Sequence, residues 1–191
     1  MAKVFDKQVL NTTIMGVVQE TFKKMLHVES AVEPVVVEKD IIESDGRMRV
    51  FPMEKFNGPA YVAFVNFFST EKDVSDNIPA GTFVLFVKED VAEKLLKAFG
   101  LPSSSAEDEE ILMDNVGEFC NILVGNVKTD LVELGFVDFF MSAPYKYKNS
   151  IPEGVPFDYS LYQKQEISFT FWNQKCIVIE VCMGYIPQER K

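Results

Sequence analysis

The sequence predicts an α+β fold, with an antiparallel β-sheet packed against long α-helices, in a single domain that spans residues 1–191. Two observations carry this prediction. Segments rich in β-branched and aromatic residues are separated by short turns, and two other segments show the three-to-four-residue apolar spacing of amphipathic helices. The order is helix, strands, two helices, strands, without the strand-helix-strand alternation of parallel sheets. With 191 residues, 47% of them apolar, the chain is long enough to close one sizeable core.

The first half is predicted to begin with a helix and to continue as a run of strands. Apolar spacing predicts an amphipathic helix over residues 5–27. Turn-forming glycine, proline and asparagine residues then separate four β-rich segments, at residues 35–42, 48–51, 60–68 and 82–87. A short helix over residues 90–99 ends at Gly100, and a polar connector follows at 101–105.

The second half contains the best-defined helix of the sequence. Apolar residues step by three or four over residues 107–134, and Gly135 ends the helix. We then predict β-structure at 136–141, a long loop at 146–157, and strands at 167–172 and 176–185 joined by a turn at 173–174. Residues 14–26 align with residues 112–124, which places Glu20 under Glu118 and suggests an internal pseudo-repeat.

Composition excludes several classes of function. The 19 basic and 29 acidic residues give a formal charge of −10, which disfavours binding to the phosphate backbone of nucleic acids. The longest apolar run, 60–65, is far shorter than the roughly 20 residues of a membrane span. Three cysteines, an odd number, favour reduced thiols over a disulfide framework. We therefore expect a cytoplasmic protein that binds neither membranes nor nucleic acids.

One face of the helix at 107–134 carries the residues with chemical potential. Asp114, Glu118, Asn121 and Gly125 fall on the side opposite the apolar stripe. Glu118 and Asn121 are three residues apart, so a carboxylate and a carboxamide emerge side by side, and Gly125 leaves the next turn without a bulky group. The alternative is an ordinary solvated helix face, which has the same composition.

The spacing of these residues resembles a known family. Asp114, three residues, Glu118, two residues, Asn121, 22 residues and Pro144 together reproduce the signature of the CheC, CheX and FliY chemotaxis phosphatases. The predicted order of elements is similar to that family over about residues 6–186. In helix 5–27, Lys23 stands at the position of the signature asparagine and Gly16 at that of the aspartate, so we expect this copy to be inactive. A single intact signature is most similar to CheX.

This resemblance implies a protein phosphatase that hydrolyses the aspartyl phosphate of a CheY-like response regulator in chemotaxis or two-component signalling. Asn121 would position the attacking water, Glu118 would anchor the active-site lysine of the partner, and Asp114, Pro144 and Gly125 would belong to the partner-contact surface. The resemblance also implies a homodimer and no cofactor of the chain's own, because the magnesium ion is held by the receiver domain. Two other hypotheses stay open: a non-catalytic module that sequesters a receiver, and a structural component of a signalling assembly.

Other residues have simpler interpretations. Cys120 is expected to be buried, and Cys176 and Cys182 lie too far apart on one predicted strand to share a metal, so no metal site is predicted. His27 is interpreted as a helix C-terminal or core residue. The basic and aromatic run at 145–148 is either a protein contact or a solvated loop, and segment 61–68 is either an edge strand for dimerisation or a central strand. Segments 69–78 and 145–159 look longer than a minimal CheX requires.

Overall fold

The computed structural model describes residues 6–27, 32–98, 100, 109–158 and 160–184. Within these ranges an antiparallel sheet carries the long helices on one face and loops with a small hairpin on the other. The helices are α1 (Lys7–Leu26), α2 (Glu71–Asp76), α3 (Glu89–Ala98) and α4 (Glu109–Glu133), with a 3-10 turn at Pro52–Lys55. The strands are β1 (Val35–Asp40), β2 (Glu43–Ser44), β3 (Arg47–Met48), β4 (Ala60–Phe68), β5 (Gly81–Lys88), β6 (Phe140–Met141), β7 (Tyr145–Lys148), β8 (Gln163–Phe171) and β9 (Gln174–Met183).

The sheet order agrees with two intertwined halves. The strands run β1-β8-β9-β5-β4, with β6 and β7 both paired to the outer side of β4, and every pairing is antiparallel. Each half contains a long helix, a short strand and two long strands: α1, β1, β4 and β5, then α4, β7, β8 and β9. The short strand of each half pairs with one long strand of the other half, β1 with β8 and β7 with β4. This exchange of short strands joins the two halves into one sheet and agrees with the predicted pseudo-repeat.

Helix α1 begins and ends at residues suited to those positions. The Asp6 side chain accepts a hydrogen bond from the Val9 amide at 2.8 Å, and His27 adopts the left-handed conformation that closes the helix. Its core-facing side includes Ile14 and Phe22, and the Phe22 ring stacks on Phe171 of β8 with centroids 3.7 Å apart. The amphipathic pattern thus docks α1 on the sheet, and His27 is a helix C-terminal residue as expected.

Helix α4 lies over β4 and beside α1. Its apolar stripe is fully buried, and the Cys120 sulfur lies 3.9 Å from the carbonyl oxygen of Ala63. The helix ends before Gly135, whose φ of 92° is a conformation that glycine adopts without strain. Because one side of α4 is fixed on the sheet, the opposite side faces solvent. No helix in the described part of the chain has the length and hydrophobicity needed to cross a membrane.

The structure corrects several predicted elements. Residues 145–148 form β7 instead of a loop, because they pair with β4, and segment 69–78 contains the unpredicted helix α2, capped by Thr70. Segment 48–51 is not a strand beyond Met48, since residues 49–51 are irregular and a 3-10 turn begins at Pro52. Of segment 136–141, only β6 pairs in the sheet.

The predicted turn and edge positions also change. The β8–β9 turn lies at 172–173, where both residues have positive φ, one position earlier than predicted. Strand β4 is paired on both sides and fully buried, so it is a central strand and offers no edge to a second subunit. Cys176 packs among the residues under the helices and Cys182 on the other face, because a register shift between 169 and 170 changes the alternation. The predicted connector at 101–105 lies outside the described residues.

Candidate active site

Asp114, Glu118, Asn121 and Gly125 occupy one face of α4, here called the signature face. Asp114 and Glu118 are exposed, and Asn121 and Gly125 are partly exposed, while Phe119 beneath them is fully buried. The four residues lie at i, i+4, i+7 and i+11 and therefore form one column along the helix. The predicted orientation of the face is confirmed.

The two central residues of the signature face are available to another molecule. Among the described residues, no side chain forms an ion pair or a hydrogen bond with Glu118 or Asn121. Both are held by a helix that is fixed along its whole buried stripe, so their backbone positions are set before any partner arrives. A carboxylate and a carboxamide are thereby presented side by side on a rigid element.

Asp114 differs from Glu118 because its carboxylate already forms an ion pair within the chain. Its Oδ1 accepts from Lys146 Nζ of β7, an ion pair that links α4 to the edge of the sheet. Helix α4 begins at Glu109, so Asp114 lies beyond its first turn.

Pro144 reaches the signature helix at Gly117. A Cβ atom added at Gly117 would lie 3.7 Å from Pro144 Cγ and only 2.6 Å from Lys146 Cδ. The chain between β6 and β7 therefore crosses α4 in van der Waals contact, through a position where only glycine leaves room. Pro144 lies directly before β7, so the last residue of the sequence signature comes close to the helix that carries the first three.

Strand β7 is fixed on both of its faces. The Lys148 ammonium donates to Glu109 at 2.6 Å and forms an ion pair with Glu89 at 2.7 Å. These two hydrogen bonds raise the pKa of Lys148 above its ordinary value. On the opposite face, the rings of Tyr145 and Tyr147 stack on Phe64. The basic and aromatic run is thus an edge strand whose lysines brace α4, which neither interpretation from the sequence anticipated.

Helix α1 lacks the corresponding free pair. Glu20, which aligns with Glu118, forms an ion pair with Lys24 on its own helix at 3.0 Å. The hydrogen bond from Lys24, with its charge, lowers the pKa of Glu20. Lys23 replaces the asparagine and Gly16 the aspartate. The side chains that α1 presents therefore do not match those of the signature face.

The remaining candidates for chemistry are buried or isolated. Burial raises the pKa of Cys120 and Cys182, the latter to about 12, so neither thiol is a nucleophile at neutral pH. In the described ranges no three metal-binding side chains come close enough to hold an ion. The signature face itself offers an amide that both donates and accepts hydrogen bonds and a carboxylate that attracts a cation. Such a pair can orient a water molecule and dock a basic partner residue.

Comparison with known proteins agrees with these features. Residues 72–153 match a family model described as "Chemotaxis phosphatase CheX", a segment that contains all of α4 and Pro144. The resemblance to the CheX family is confirmed. No curated protein matches the chain significantly.

Solved structures share the CheX-like fold at low sequence identity. The CheX protein of Vibrio vulnificus is 17% identical with a TM-score of 0.54, and the alignment covers 91% of this chain and 97% of that one. The CheX of Borrelia burgdorferi, in complex with CheY, BeF3 and Mg, is 14% identical with a TM-score of 0.56, covering 95% and 99%. FliY of Thermotoga maritima is 17% identical with a TM-score of 0.58, covering 95% and 92%.

The sequence did not identify one residue that bonds to the signature face. Lys146 was noted only as part of a basic run, although the structure bonds it to Asp114 on the signature face. Its signal was the alternation of tyrosine and lysine over 145–148, which has the two-residue period of a strand with one face toward a helix.

Proposed function

We propose that the chain is a phosphatase that hydrolyses the aspartyl phosphate of a CheY-like receiver domain. The proposal rests on the accessibility of Glu118 and Asn121 and on their lack of bonding partners among the described residues. Glu118 is exposed and Asn121 is partly exposed, and neither side chain bonds to another described residue. Both lie on α4, within the segment that matches the CheX family. A carboxylate and an amide left unpaired on a rigid surface are suited to a partner molecule.

To hydrolyse an aspartyl phosphate, the catalyst mainly has to position the attacking water molecule. Phosphoryl transfer passes through a loose transition state, so a water molecule placed in line with the phosphorus supplies most of the effect. The Asn121 amide accepts a hydrogen bond from that water and donates one toward a phosphoryl oxygen, and it brings no charge that would repel the phosphate. It also needs no shifted pKa.

Glu118 is assigned to anchoring. In the proposed complex its carboxylate pairs with the active-site lysine of the receiver, a charge-assisted contact that fixes the orientation of α4 over the phosphorylated pocket. Gly125, where an added Cβ would meet nothing within 4 Å, keeps the next turn low enough for close approach. The magnesium ion belongs to the receiver and the chain supplies no ligand to it.

We further propose a cytoplasmic homodimer joined through β1. Among the described residues this strand pairs only with β8, and Val35, Val36 and Val37 on it are all exposed. An antiparallel β1–β1 pairing centred on Val36 would place Val35 of one protomer opposite Val37 of the other and Glu33 opposite Lys39. Burial of the valines and the paired opposite charges would both favour such a dimer.

The test uses a receiver domain charged with acetyl phosphate and a substoichiometric amount of the protein. We expect phosphate release that exceeds many equivalents per protein molecule. Release limited to one equivalent would show a sequestering module, and equal binding to charged and uncharged receivers would show a structural role. Glu118→Ala is expected to weaken binding of the charged receiver about ten-fold or more. Glu110→Ala, an exposed glutamate on the same helix, is the matched control.

A further inference from the structure

The two carboxylates of the signature face have different surroundings. Asp114 is bonded to Lys146, whose side chain is 38% exposed, whereas Glu118 has no partner among the described residues. The Asp114–Lys146 pair is neutral as a whole. Glu118 therefore carries the net charge of the face.

The route of the Lys146 side chain is fixed by packing. Its Cγ and Cδ atoms pass over Gly117, where an added Cβ would lie 2.7 and 2.6 Å from them. The strand that carries Lys146 is paired with β4 and stacked through its tyrosines on Phe64. The ammonium is thus delivered to Asp114 by a stem that a side chain at position 117 would displace.

The ion pair with Lys146 neutralises Asp114, a carboxylate close enough to Asn121 to affect an anionic ligand bound there. Asp114 precedes Asn121 by seven residues, about 10 Å along the helix axis, which is close to the Debye length at 0.1 M salt. A bare carboxylate there would repel a phosphoryl group held at Asn121, in a chain whose net charge is already −10.

We propose that Lys146 is a positioning residue that, by neutralising Asp114, allows the signature face to accept a phosphorylated partner. This inference rests on the proposed function and deepens it. Lys146 acts through Asp114 and does not touch the phosphoryl group. Its effect therefore falls on the affinity for the charged receiver and not on the rate of the chemical step.

The experiment titrates a receiver loaded with beryllofluoride and magnesium against wild type, Lys146→Met, Asp114→Asn and the double variant. Methionine keeps most of the aliphatic stem over Gly117, and thermal unfolding checks that each variant is folded. We expect Lys146→Met to bind about five-fold more weakly at a low salt concentration of about 0.1 M, with the difference disappearing above about 0.5 M salt. The double variant is expected to bind more tightly than Lys146→Met, because the uncompensated carboxylate is gone.

Lys148→Met is the matched control. Lys148 lies on the same strand and bonds to Glu109, twelve residues or about 18 Å before Asn121, which is beyond the Debye length of about 10 Å at 0.1 M salt. We expect the affinity of Lys148→Met for the loaded receiver to stay within about two-fold of wild type. In turnover, Lys146→Met should raise KM and leave kcat unchanged.

Two results would overturn the inference. Binding by the double variant as weak as that by Lys146→Met would show that Lys146 contacts the partner directly, and wild-type affinity of Lys146→Met at low salt would show that it has no role. Failure of the proposed function looks different, because wild type would then neither release phosphate nor prefer the loaded receiver.

Discussion

Glu166 and Glu180 lie directly opposite each other on β8 and β9, and the ammonium of Lys55 donates to both. Lys39 adds a second bond to Glu166 at 2.8 Å, and Lys164 bonds to Glu180 at 2.8 Å. Glu180 is completely buried, and the Lys55 side chain is only 8% exposed. On the sheet face away from the helices, two carboxylates that would repel each other are thus held together by lysines.

Lys55→Met is expected to destabilise the fold by about 3–5 kcal/mol, because it leaves two opposed carboxylates without the cation between them. The measurement is urea unfolding followed by circular dichroism. Lys88→Met is the matched control, since Lys88 pairs with the exposed Asp90 at 2.7 Å and is expected to cost less than about 1 kcal/mol. Equal effects of the two substitutions would contradict the account of the buried cluster.

Acid should weaken the fold through Glu166. Burial raises the pKa of this carboxyl, but hydrogen bonds from Lys39 and Lys55 outweigh burial and lower it from 4.5 to about 2. Because the folded-state pKa is the lower one, the stabilisation is present above pH 4.5 and is lost as the pH falls toward 2.

The corresponding measurement is the free energy of unfolding at several pH values from 6 to 2. Glu166→Gln should reduce the slope between about pH 4.5 and 2 by up to about 1.4 kcal/mol per pH unit, the contribution of one proton. An unchanged slope in this variant would show that other carboxyl groups cause the acid sensitivity.

Gly117→Ala should reproduce the binding defect of Lys146→Met. The added methyl group would occupy the path of the Lys146 stem and displace its ammonium from Asp114, while alanine favours the helix by up to about 1 kcal/mol. Gly16→Ala, in open space on α1, is the control and should change only stability. Receiver binding at low salt distinguishes the two, and wild-type affinity of Gly117→Ala would contradict the packing argument.

The three cysteines should resist alkylation in the native state. All are buried and unpaired, and burial raises the pKa of Cys176 to about 11 and that of Cys182 to about 12. Incubation with iodoacetamide at pH 8, followed by mass spectrometry, is expected to show no modification without denaturant and three modifications with it. Rapid native labelling of Cys120 would show that α4 does not stay on the sheet.

The long amphipathic elements could be predicted from the sequence because their signal is local. The apolar stripe of α4 fixes both its buried side and the exposure of Glu118 and Asn121, and the observed helix lies within one or two residues of the predicted ends. The signature spacing also singled out Pro144, which approaches α4 at Gly117. These features depend on residues close together in sequence or on a fixed gap.

The features that the sequence did not reveal depend on tertiary pairing. Strand β7 has four residues and is stabilised by its pairing with β4. The prolines and glycines around it predict a loop when only neighbouring residues in the sequence are considered. The bond between Lys146 and Asp114 joins residues 32 apart, and the opposition of Glu166 and Glu180 requires the register of β8 against β9. Helical or strand periodicity predicts neither the contact between Lys146 and Asp114 nor the opposition of Glu166 and Glu180.

The central claim is that Asn121 positions the attacking water. The most direct measurement is phosphate release from a saturating, acetyl-phosphate-charged receiver by wild type, Asn121→Ala and Asn126→Ala, an exposed asparagine of the same helix. We expect Asn121→Ala to lower kcat by about 100-fold or more and still to bind the charged receiver, while Asn126→Ala behaves as wild type. Wild-type turnover by Asn121→Ala would contradict it.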